Sequence, residues 1–187
     1  MKYPESREQF VGAGMVSGLI RAVAFAAHKH RDQRRKDADK SPYINHPIAL
    51  ANVLANEAGI LEADVLCAAI LHDTIEDTET TAEELNREFG SRICAIVLEV
   101  TDDKSLSKAE RKQLQIAHSA TLSLEAKLVK FADKICNLRD IASTPPADWS
   151  LERKREYFEW AKQVVDGLRG SDSTLEAIFD EAYATRP

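Results

Sequence analysis

The sequence has few cysteines, glycines and prolines, and it has no long apolar run. Its three cysteines, Cys67, Cys94 and Cys136, lie in apolar segments without a C-x-x-C spacing. They therefore indicate reduced core positions in a cytoplasmic protein, and they argue against a disulfide framework or a thiolate zinc site. No apolar run reaches the roughly 18 residues that cross a bilayer, and the first residues have no signal-peptide core. We expect a cytoplasmic protein that is not inserted in a membrane.

The charge balance is acidic, with a formal net charge of -6 over 187 residues. This balance argues against non-specific binding to nucleic acid or to a membrane surface. Hydrophobic residues make up 44% and charged residues 30% of the chain, so we expect one globular domain over residues 1–187. One segment, 29–36, is strongly basic. It is either a solvated helix end or an anion site in which Arg offers two parallel hydrogen bonds to a phosphate.

Helical periodicity runs through nearly every segment, and no convincing alternating strand pattern is present. Ser107 with Glu110 forms a capping-box pattern, and Thr80 with Glu83, or Thr81 with Glu84, forms another. We therefore predict an all-α fold of roughly eight or more helices. The metal-site core is expected over about 18–142 and the C-terminal helices over about 149–185. The predicted helices cover about 14–30, 47–57, 62–73, a short stretch ending near 90, a stretch to about 100, a stretch from 107, and then 122–141, 149–168 and 174–183.

The end of the third predicted helix concentrates titratable groups. His72 and Asp73 follow the apolar run 68–71, and Glu76 and Asp77 come one turn later. On a continuous helix, His72 would share a face with Glu76, and Asp73 would share one with both acids. Buried charge is costly unless it is paired or binds a metal, and acids at a helix C-terminus oppose the helix dipole. The pattern therefore predicts a functional use for these four groups.

Two further residues offer ligands of the same kind. His46 lies at the start of the second predicted helix, and Asp133 lies within a long apolar helix. Two imidazoles and two carboxylates suit Mn²⁺, Fe²⁺ or Zn²⁺ and leave positions open for water and a phosphoryl oxygen. Each residue also has a simpler interpretation. His46 would be an ordinary helix N-terminal residue, and Asp133 would pair with Lys130, Lys134 or Arg139.

The order of these residues resembles the HD phosphohydrolase superfamily, in which a first His, an adjacent His-Asp pair and a distant Asp bind the metal. The flanking residues resemble more closely the hydrolase domain of the RelA/SpoT family. The resemblance extends from about residue 18 to about 170 and leaves no room for a synthetase domain, as in small stand-alone alarmone hydrolases of the metazoan SpoT-homologue type. The matching segments are 35–36, 42–47, 71–78, 99–101 and 127–139.

The resemblance implies an activity and a set of roles. Enzymes of this kind remove the 3′-pyrophosphate from the alarmones ppGpp and pppGpp, and their usual metal is Mn²⁺. By the resemblance, Glu76 and Asp77 match the acidic pair that handles the attacking water. The matching metal ligands are His46, His72, Asp73 and Asp133.

The resemblance also implies substrate contacts. Arg35 and Lys36 match residues beside the nucleotide, with Arg35 near the base, and Asn137 matches a nucleotide-contacting position. We expect Arg35, Lys36, Lys134 and Arg139 to balance phosphate charge. The position of Asp140 is often Thr in the long bifunctional enzymes, so its contact with base or ribose stays open.

Other functions remain open at this point. The substrate could instead be an adenine alarmone such as ppApp or the 2′-phosphate of NADPH, because a metal site alone does not separate these. A catalytically silent nucleotide-binding module is a third alternative, although it would not require Glu76 and Asp77 together. The partner is in each case a small-molecule nucleotide. The sequence leaves undecided the base, the metal used in the cell, a monomer or homodimer, and the existence of a cognate synthetase.

The remaining histidines and the aromatic cluster carry less weight. His28 and His30 are expected to face solvent within the basic segment, and His118 is expected to have no chemical role. A group of aromatic residues near the C-terminus has partly helical spacing, which by default indicates core packing. These residues are Trp149, Tyr157, Phe158 and Trp160.

Overall fold

The computed structural model describes residues 7–187, with side chains described from residue 14 onward. Within these residues the fold is all-α, as predicted, and it contains no β-strand; the one isolated β-bridge joins Arg34 and Pro42. No helix in this part of the chain combines the length and the hydropathy needed to cross a bilayer. The helices are α1 (Arg7–Lys29), α2 (Asn45–Asn52), α3 (Ala63–Leu71), α4 (Thr74–Asp77), α5 (Ala82–Phe89), α6 (Ser91–Val100), α7 (Lys108–His118), α8 (Leu124–Ser143), α9 (Leu151–Asp166) and α10 (Ser173–Ala184).

Local hydrogen bonds fix several helix starts. The predicted capping box at α7 is present, with Ser107 and Glu110 each bonding the other's backbone. Of the two alternatives at α5, Thr81 is the cap, because its hydroxyl accepts the Glu84 N–H at 3.1 Å. Ser150 caps α9, so that helix begins after Trp149 rather than at it. These starts depend on residues close in sequence, which is why the sequence locates them well.

The second helix ends differently from the prediction. After α2 the chain continues as a π-helical turn over Val53–Glu57 before Gly59 reverses it with a φ of 71°. A positive φ is readily adopted only by glycine. The predicted range of about 47–57 therefore contains both a regular helix and a wider turn.

The largest departure lies between α3 and α4. The sequence predicts an unbroken helix to Asp73, but α3 ends at Leu71 and a separate single turn begins at Thr74. The Thr74 hydroxyl donates to the Leu71 carbonyl at 2.7 Å across the break. Glu76 and Asp77 therefore do not lie at the C-terminus of α3 as expected, and the single turn that holds them has little dipole to oppose.

Helix α3 is the centre of the core. All residues of 65–71 are buried, and the helix packs against α1, α2, α6 and α8. A helix that is apolar on every side belongs in an interior, and this burial fixes the position of its C-terminal end. The three cysteines are free and buried, as predicted. Among the aromatic cluster, only Phe158 is fully buried.

Candidate metal and substrate site

Three of the four predicted metal ligands converge at one point. His46 comes from the first turn of α2, His72 from the break between α3 and α4, and Asp133 from the middle of α8. One ligand atom from each lies within 4.8 Å of the others. The two histidines are only 4% and 5% exposed. Asp73 adjoins this group through its contact with His72 rather than as a member of it.

The His72 ring directs its Nε2 toward the centre of this group. Its Nδ1 lies 2.8 Å from the Ala69 carbonyl, which only accepts, so Nδ1 carries the hydrogen and Nε2 the lone pair of the neutral ring. Nε2 is 2.8 Å from Asp73 Oδ2 but is not directed along a hydrogen bond, and it has no partner among the described residues. Burial opposes protonation, but the carboxylates of Asp73 and Asp133 outweigh it and raise the pKa of His72 to about 9. A cation that binds at Nε2 therefore takes the place of a proton.

The His46 ring is also incompletely paired. Its Nε2 lies 3.3 Å from Asp133 Oδ1, while Nδ1 is buried and has no hydrogen-bond partner in residues 7–187. Burial lowers the pKa of His46 and outweighs the effect of the neighbouring Asp133 carboxylate. A buried imidazole of this kind stays neutral and can donate a lone pair to a cation.

The two carboxylates are held by neighbours that differ in kind. The Tyr43 hydroxyl donates to Asp73. Asp133 lies 2.9 Å from Lys134 Nζ and accepts the Asn137 amide at 2.6 Å. Burial raises the pKa of both acids, but His72 beside Asp73 and Lys134 beside Asp133 hold each pKa well below its usual range. Both carboxyls are therefore ionised at neutral pH.

This donor set fits a divalent cation. His72 Nε2 is buried without a hydrogen-bond partner in the described part of the chain and lies 2.8 Å from Asp73, while His46 Nε2 faces the Asp133 carboxylate at 3.3 Å. Leaving such groups unpaired in an interior costs free energy. Mixed nitrogen and oxygen ligands suit a borderline ion. The hydrogen bonds from His72 to the Ala69 carbonyl, from Asn137 to Asp133 and from Tyr43 to Asp73 are of the kind that orients metal ligands.

The predicted acidic pair lies beside this group. Glu76 accepts the Asp102 N–H at 3.1 Å, and burial raises the pKa of Glu76. Asp77 accepts from the Gln33 amide at 3.1 Å and from Lys104, whose Nζ is also 3.7 Å from Glu76. The three residues that hold the pair come from the α1–α2 and α6–α7 loops, and no periodicity in the sequence identifies them.

A cavity of about 350 Å³ extends from these groups. One end is formed by the predicted metal ligands and the predicted acidic pair. The other end is basic and aromatic, and there the Lys112 ammonium lies 4.7 Å from the centre of the Trp160 ring. The Lys134 ammonium lies between the two ends, 4.3 Å from the same ring centre and 2.9 Å from Asp133. This second end also contains Lys108, Arg111, Trp149 and Tyr157. A larger open groove of about 870 Å³ lies between α7 and α9, but none of the predicted metal ligands lines it.

The predicted substrate contacts occupy different places. Arg35, Lys36, Lys134 and Asn137 line the cavity. Asp140 contacts Arg35 instead, with 2.5 Å between Oδ2 and the Arg35 Nη2.

Arg139 lies elsewhere. It forms two bonds of 2.9 Å with Glu57 and does not line the cavity. The structure thus does not bring Arg139 to the phosphate site.

One expectation about the histidines is wrong. His30 is 2% exposed and is packed against the Tyr43 ring, with 4.8 Å between ring centres, whereas His28 is exposed. A signal for this burial was present in the sequence. Ala22, Ala26 and His30 follow one another at four-residue spacing, and all three are buried.

Comparison with known proteins places this arrangement in a family. The family model described as HD domain matches residues 22–159, a range that contains all four predicted metal ligands. The chain belongs to the HD-domain family. The match ends within α9, so α10 lies beyond the residues that the family model covers.

Several relatives of this HD-domain protein match along most of their length. A protein of Xenopus tropicalis named guanosine-3′,5′-bis(diphosphate) 3′-pyrophosphohydrolase MESH1 is 53% identical over 165 residues, covering 88% of this chain and 92% of the relative. The Homo sapiens protein of the same name is 52% identical over 168 residues, covering 90% and 94%. A solved structure described as a metazoan ortholog of SpoT that hydrolyzes ppGpp aligns with a TM-score of 0.88 at 45% identity, covering 100% of this chain and 98% of that one.

Proposed function

We propose that this protein is a metal-dependent hydrolase that converts ppGpp and pppGpp to GDP and GTP with release of pyrophosphate. The observation that carries the proposal is the position of Glu76 and Asp77 beside the His46, His72 and Asp133 group at one end of a nucleotide-sized cavity. The names of the relatives, which are 52–53% identical, support the same substrate. In the reaction, a water oxygen bonds to the phosphorus that is attached to the ribose 3′-oxygen. The bond between this phosphorus and the 3′-oxygen breaks, and the 3′-oxygen takes up a proton.

The metal in this proposal is one divalent ion held by His46, His72, Asp73 and Asp133. Mn²⁺ is the first choice, with Fe²⁺ and Zn²⁺ as alternatives, because all three accept mixed imidazole and carboxylate ligands. When bound, such an ion polarises a phosphoryl oxygen and lowers the pKa of water. Tyr43, Asn137 and the Ala69 carbonyl hold the ligands in orientation.

Glu76 and Asp77 are proposed to move the proton. A half-buried Glu76 with a raised pKa can accept a proton from water during attack, since general-base catalysis favours a pKa nearer to neutrality. Asp77 is held from two sides by Gln33 and Lys104, so it can orient the same water. Transfer to the leaving ribose oxygen then completes the turnover.

The charges along the cavity suit a nucleotide with phosphates on both sides of the ribose. At the metal end Arg35, Lys36 and Lys134 can balance the 3′-pyrophosphate. At the far end Lys108 and Lys112 can meet the 5′-phosphates. Asn137 can contact the nucleotide between them, whereas Asp140 is proposed to act by holding Arg35. We also propose a cytoplasmic location, with which three buried free cysteines agree.

The test is a product assay. The purified protein is incubated with Mn²⁺ and, in separate reactions, ppGpp, ppApp and NADPH, and the phosphorus products are resolved by ³¹P NMR. We expect pyrophosphate and GDP from ppGpp and no release after metal removal. Faster cleavage of ppApp, or orthophosphate from NADPH without pyrophosphate from ppGpp, would assign a different substrate. Release from none of the three contradicts the proposal.

A further inference from the structure

A chain of hydrogen bonds runs behind the acidic pair, from His30 through Gln33 to Asp77. His30 follows the last residue of α1 and is 2% exposed. Its Nδ1 lies 2.6 Å from Gln33 Oε1, and Gln33 Nε2 donates to Asp77 Oδ2 at 3.1 Å. Neither of these two contacts is needed to hold the proposed metal ligands.

The direction of every hydrogen bond in this chain is determined. An ionised carboxylate only accepts, so the nitrogen of the Gln33 amide must face Asp77. The amide oxygen then faces His30, and His30 Nδ1 must carry the hydrogen. If the amide were reversed, Gln33 Oε1 would face the Asp77 carboxylate and the two oxygens would repel. The Asp77 carboxylate therefore determines the amide orientation, and the His30 Nδ1–H holds the amide oxygen in that orientation.

The backbone of Gln33 is fixed on both sides. Its N–H donates to the His30 carbonyl at 2.9 Å, and its carbonyl accepts the Tyr43 N–H at 3.2 Å. Only the side-chain torsions of Gln33 remain to be set, and the bond from His30 sets them. The Tyr43 ring in turn packs against the His30 ring, and the Tyr43 hydroxyl donates to Asp73. The same small cluster thus contacts Asp73 beside the metal ligands and Asp77 in the acidic pair.

Packing alone does not account for a histidine at position 30. Its Nε2 is buried and has no hydrogen-bond partner in the described residues. An apolar side chain would continue the buried Ala22 and Ala26 face of α1 without leaving such a nitrogen unpaired. A histidine that folding does not require indicates a use for its Nδ1–H.

We propose that His30 is a positioning residue that acts through Gln33 to hold Asp77 at the attacking water. The proposal rests on the proposed role of Glu76 and Asp77 in hydrolysis. His30 does not touch the substrate, and it sets only the rotamer of Gln33. Loss of this bond would let the Asp77 carboxylate turn, which lowers the rate of the chemical step but leaves the metal and the nucleotide bound.

The test is a double-mutant cycle with His30→Leu, Gln33→Leu and the double variant. We expect each single variant to lose about 10- to 100-fold in kcat on ppGpp, as is typical when an outer hydrogen-bond partner of an active site is removed, with KM and Mn²⁺ affinity unchanged. If His30 acts only through Gln33, the double variant loses no more than Gln33→Leu alone. Losses that multiply, or an unchanged kcat in His30→Leu, overturn the proposal.

Two further variants separate positioning from simple folding effects. His30→Asn places an amide nitrogen near the position of Nδ1 and should recover most of the kcat lost in His30→Leu. His28→Leu changes an exposed histidine in the last turn of α1, two residues before His30, and should have no effect. A low kcat in His30→Asn at an unchanged melting temperature contradicts the proposal, because the donor has then been restored without benefit.

A measurement without substrate keeps this inference distinct from the proposed function. The side-chain amide signals of Gln33 in a ¹⁵N-resolved NMR spectrum are identified by their loss in Gln33→Leu. They should shift in His30→Leu and stay near their wild-type position in His30→Asn. If wild-type protein releases no pyrophosphate from ppGpp, the proposed function fails, and the amide signals still decide whether His30 holds Gln33. Unshifted signals in His30→Leu overturn the contact itself.

Discussion

The two ends of the cavity are built in different ways. At the metal end the histidines are almost fully buried, both carboxylates have their own hydrogen-bond donors, and the ligands come from α2, α8 and the α3–α4 break. At the other end Lys108 is exposed, and Lys112, Trp149 and Tyr157 are half-buried on or beside α7 and α9. The first end is preorganised for one reaction, whereas the second offers adaptable charge and stacking. We infer that the chemistry is set at the first end and the choice of nucleotide at the second.

Removal of a metal ligand should have the largest effect. We expect His72→Ala to lose Mn²⁺ and to lower kcat by at least about 1,000-fold, since metal polarisation is worth several kcal/mol and each 1.36 kcal/mol is a factor of ten. Metal stoichiometry and pyrophosphate release measure this. His118→Ala, which changes an exposed histidine of α7, serves as the control. Normal turnover with metal bound in His72→Ala would contradict the assignment of the centre.

Changes in the acidic pair should slow turnover and leave the metal bound. Glu76→Gln or Asp77→Asn should reduce kcat by about 100-fold or more, the usual contribution of a positioned acid or base. Glu79→Gln is a suitable control, because the Glu79 side chain is 75% exposed and lies just after the pair. The measurement is the steady-state rate together with Mn²⁺ titration. If hydrolysis persists at the wild-type rate with metal bound, the pair has another role.

A change at the basic end should affect binding more than turnover. Lys112→Gln is expected to raise KM for ppGpp about 10-fold with little change in kcat, because a charge-assisted contact contributes about 1.5–3 kcal/mol and acts equally on substrate and transition state. Lys162→Gln on α9 provides the comparison, since Lys162 pairs with Asp166 away from the cavity. A drop in kcat with constant KM would show that this end takes part in the chemical step.

The smallest effect is expected where an exposed pair holds a substrate contact. Asp140→Asn should raise KM by no more than about fivefold, because partly exposed ion pairs are worth about 0.2–1 kcal/mol and Arg35 still lines the cavity. Glu57→Gln breaks the comparable pair of Arg139 outside the cavity and should leave KM unchanged. An equal rise in KM in both variants would indicate that Arg139 also contacts the substrate.

Residues close in sequence were predicted well, and contacts between distant segments were not. The Ser107–Glu110 capping box forms as expected because both partners lie within one turn. The α3–α4 break was not predicted because no glycine or proline separates the apolar run from His72 and Asp73. The helix ends there with a hydrogen bond from the Thr74 hydroxyl to the Leu71 carbonyl. The four candidate ligands were predicted from their residue types, from their spacing in the sequence and from the family resemblance.

The loop residues around the site could not be predicted in the same way. Gln33, Asp102 and Lys104 reach the acidic pair only when two loops fold over it. His30 was predicted to be exposed because its neighbours in sequence are charged. Arg139 was placed at the phosphates for its charge alone, although its helix face turns toward Glu57.

The break between α3 and α4 also limits how this centre can be transferred to another protein. Consecutive residues of a regular helix project about 100° apart, as 3.6 residues per turn requires, so an adjacent imidazole and carboxylate would diverge on an unbroken helix. Here the helix is interrupted at residues 72–73, so both side chains reach the same region, with 2.8 Å between His72 Nε2 and Asp73 Oδ2. A designer who copies only the His-Asp dipeptide onto a straight helix should obtain a weak metal binder. The unit to transplant is the interrupted backbone together with its threonine.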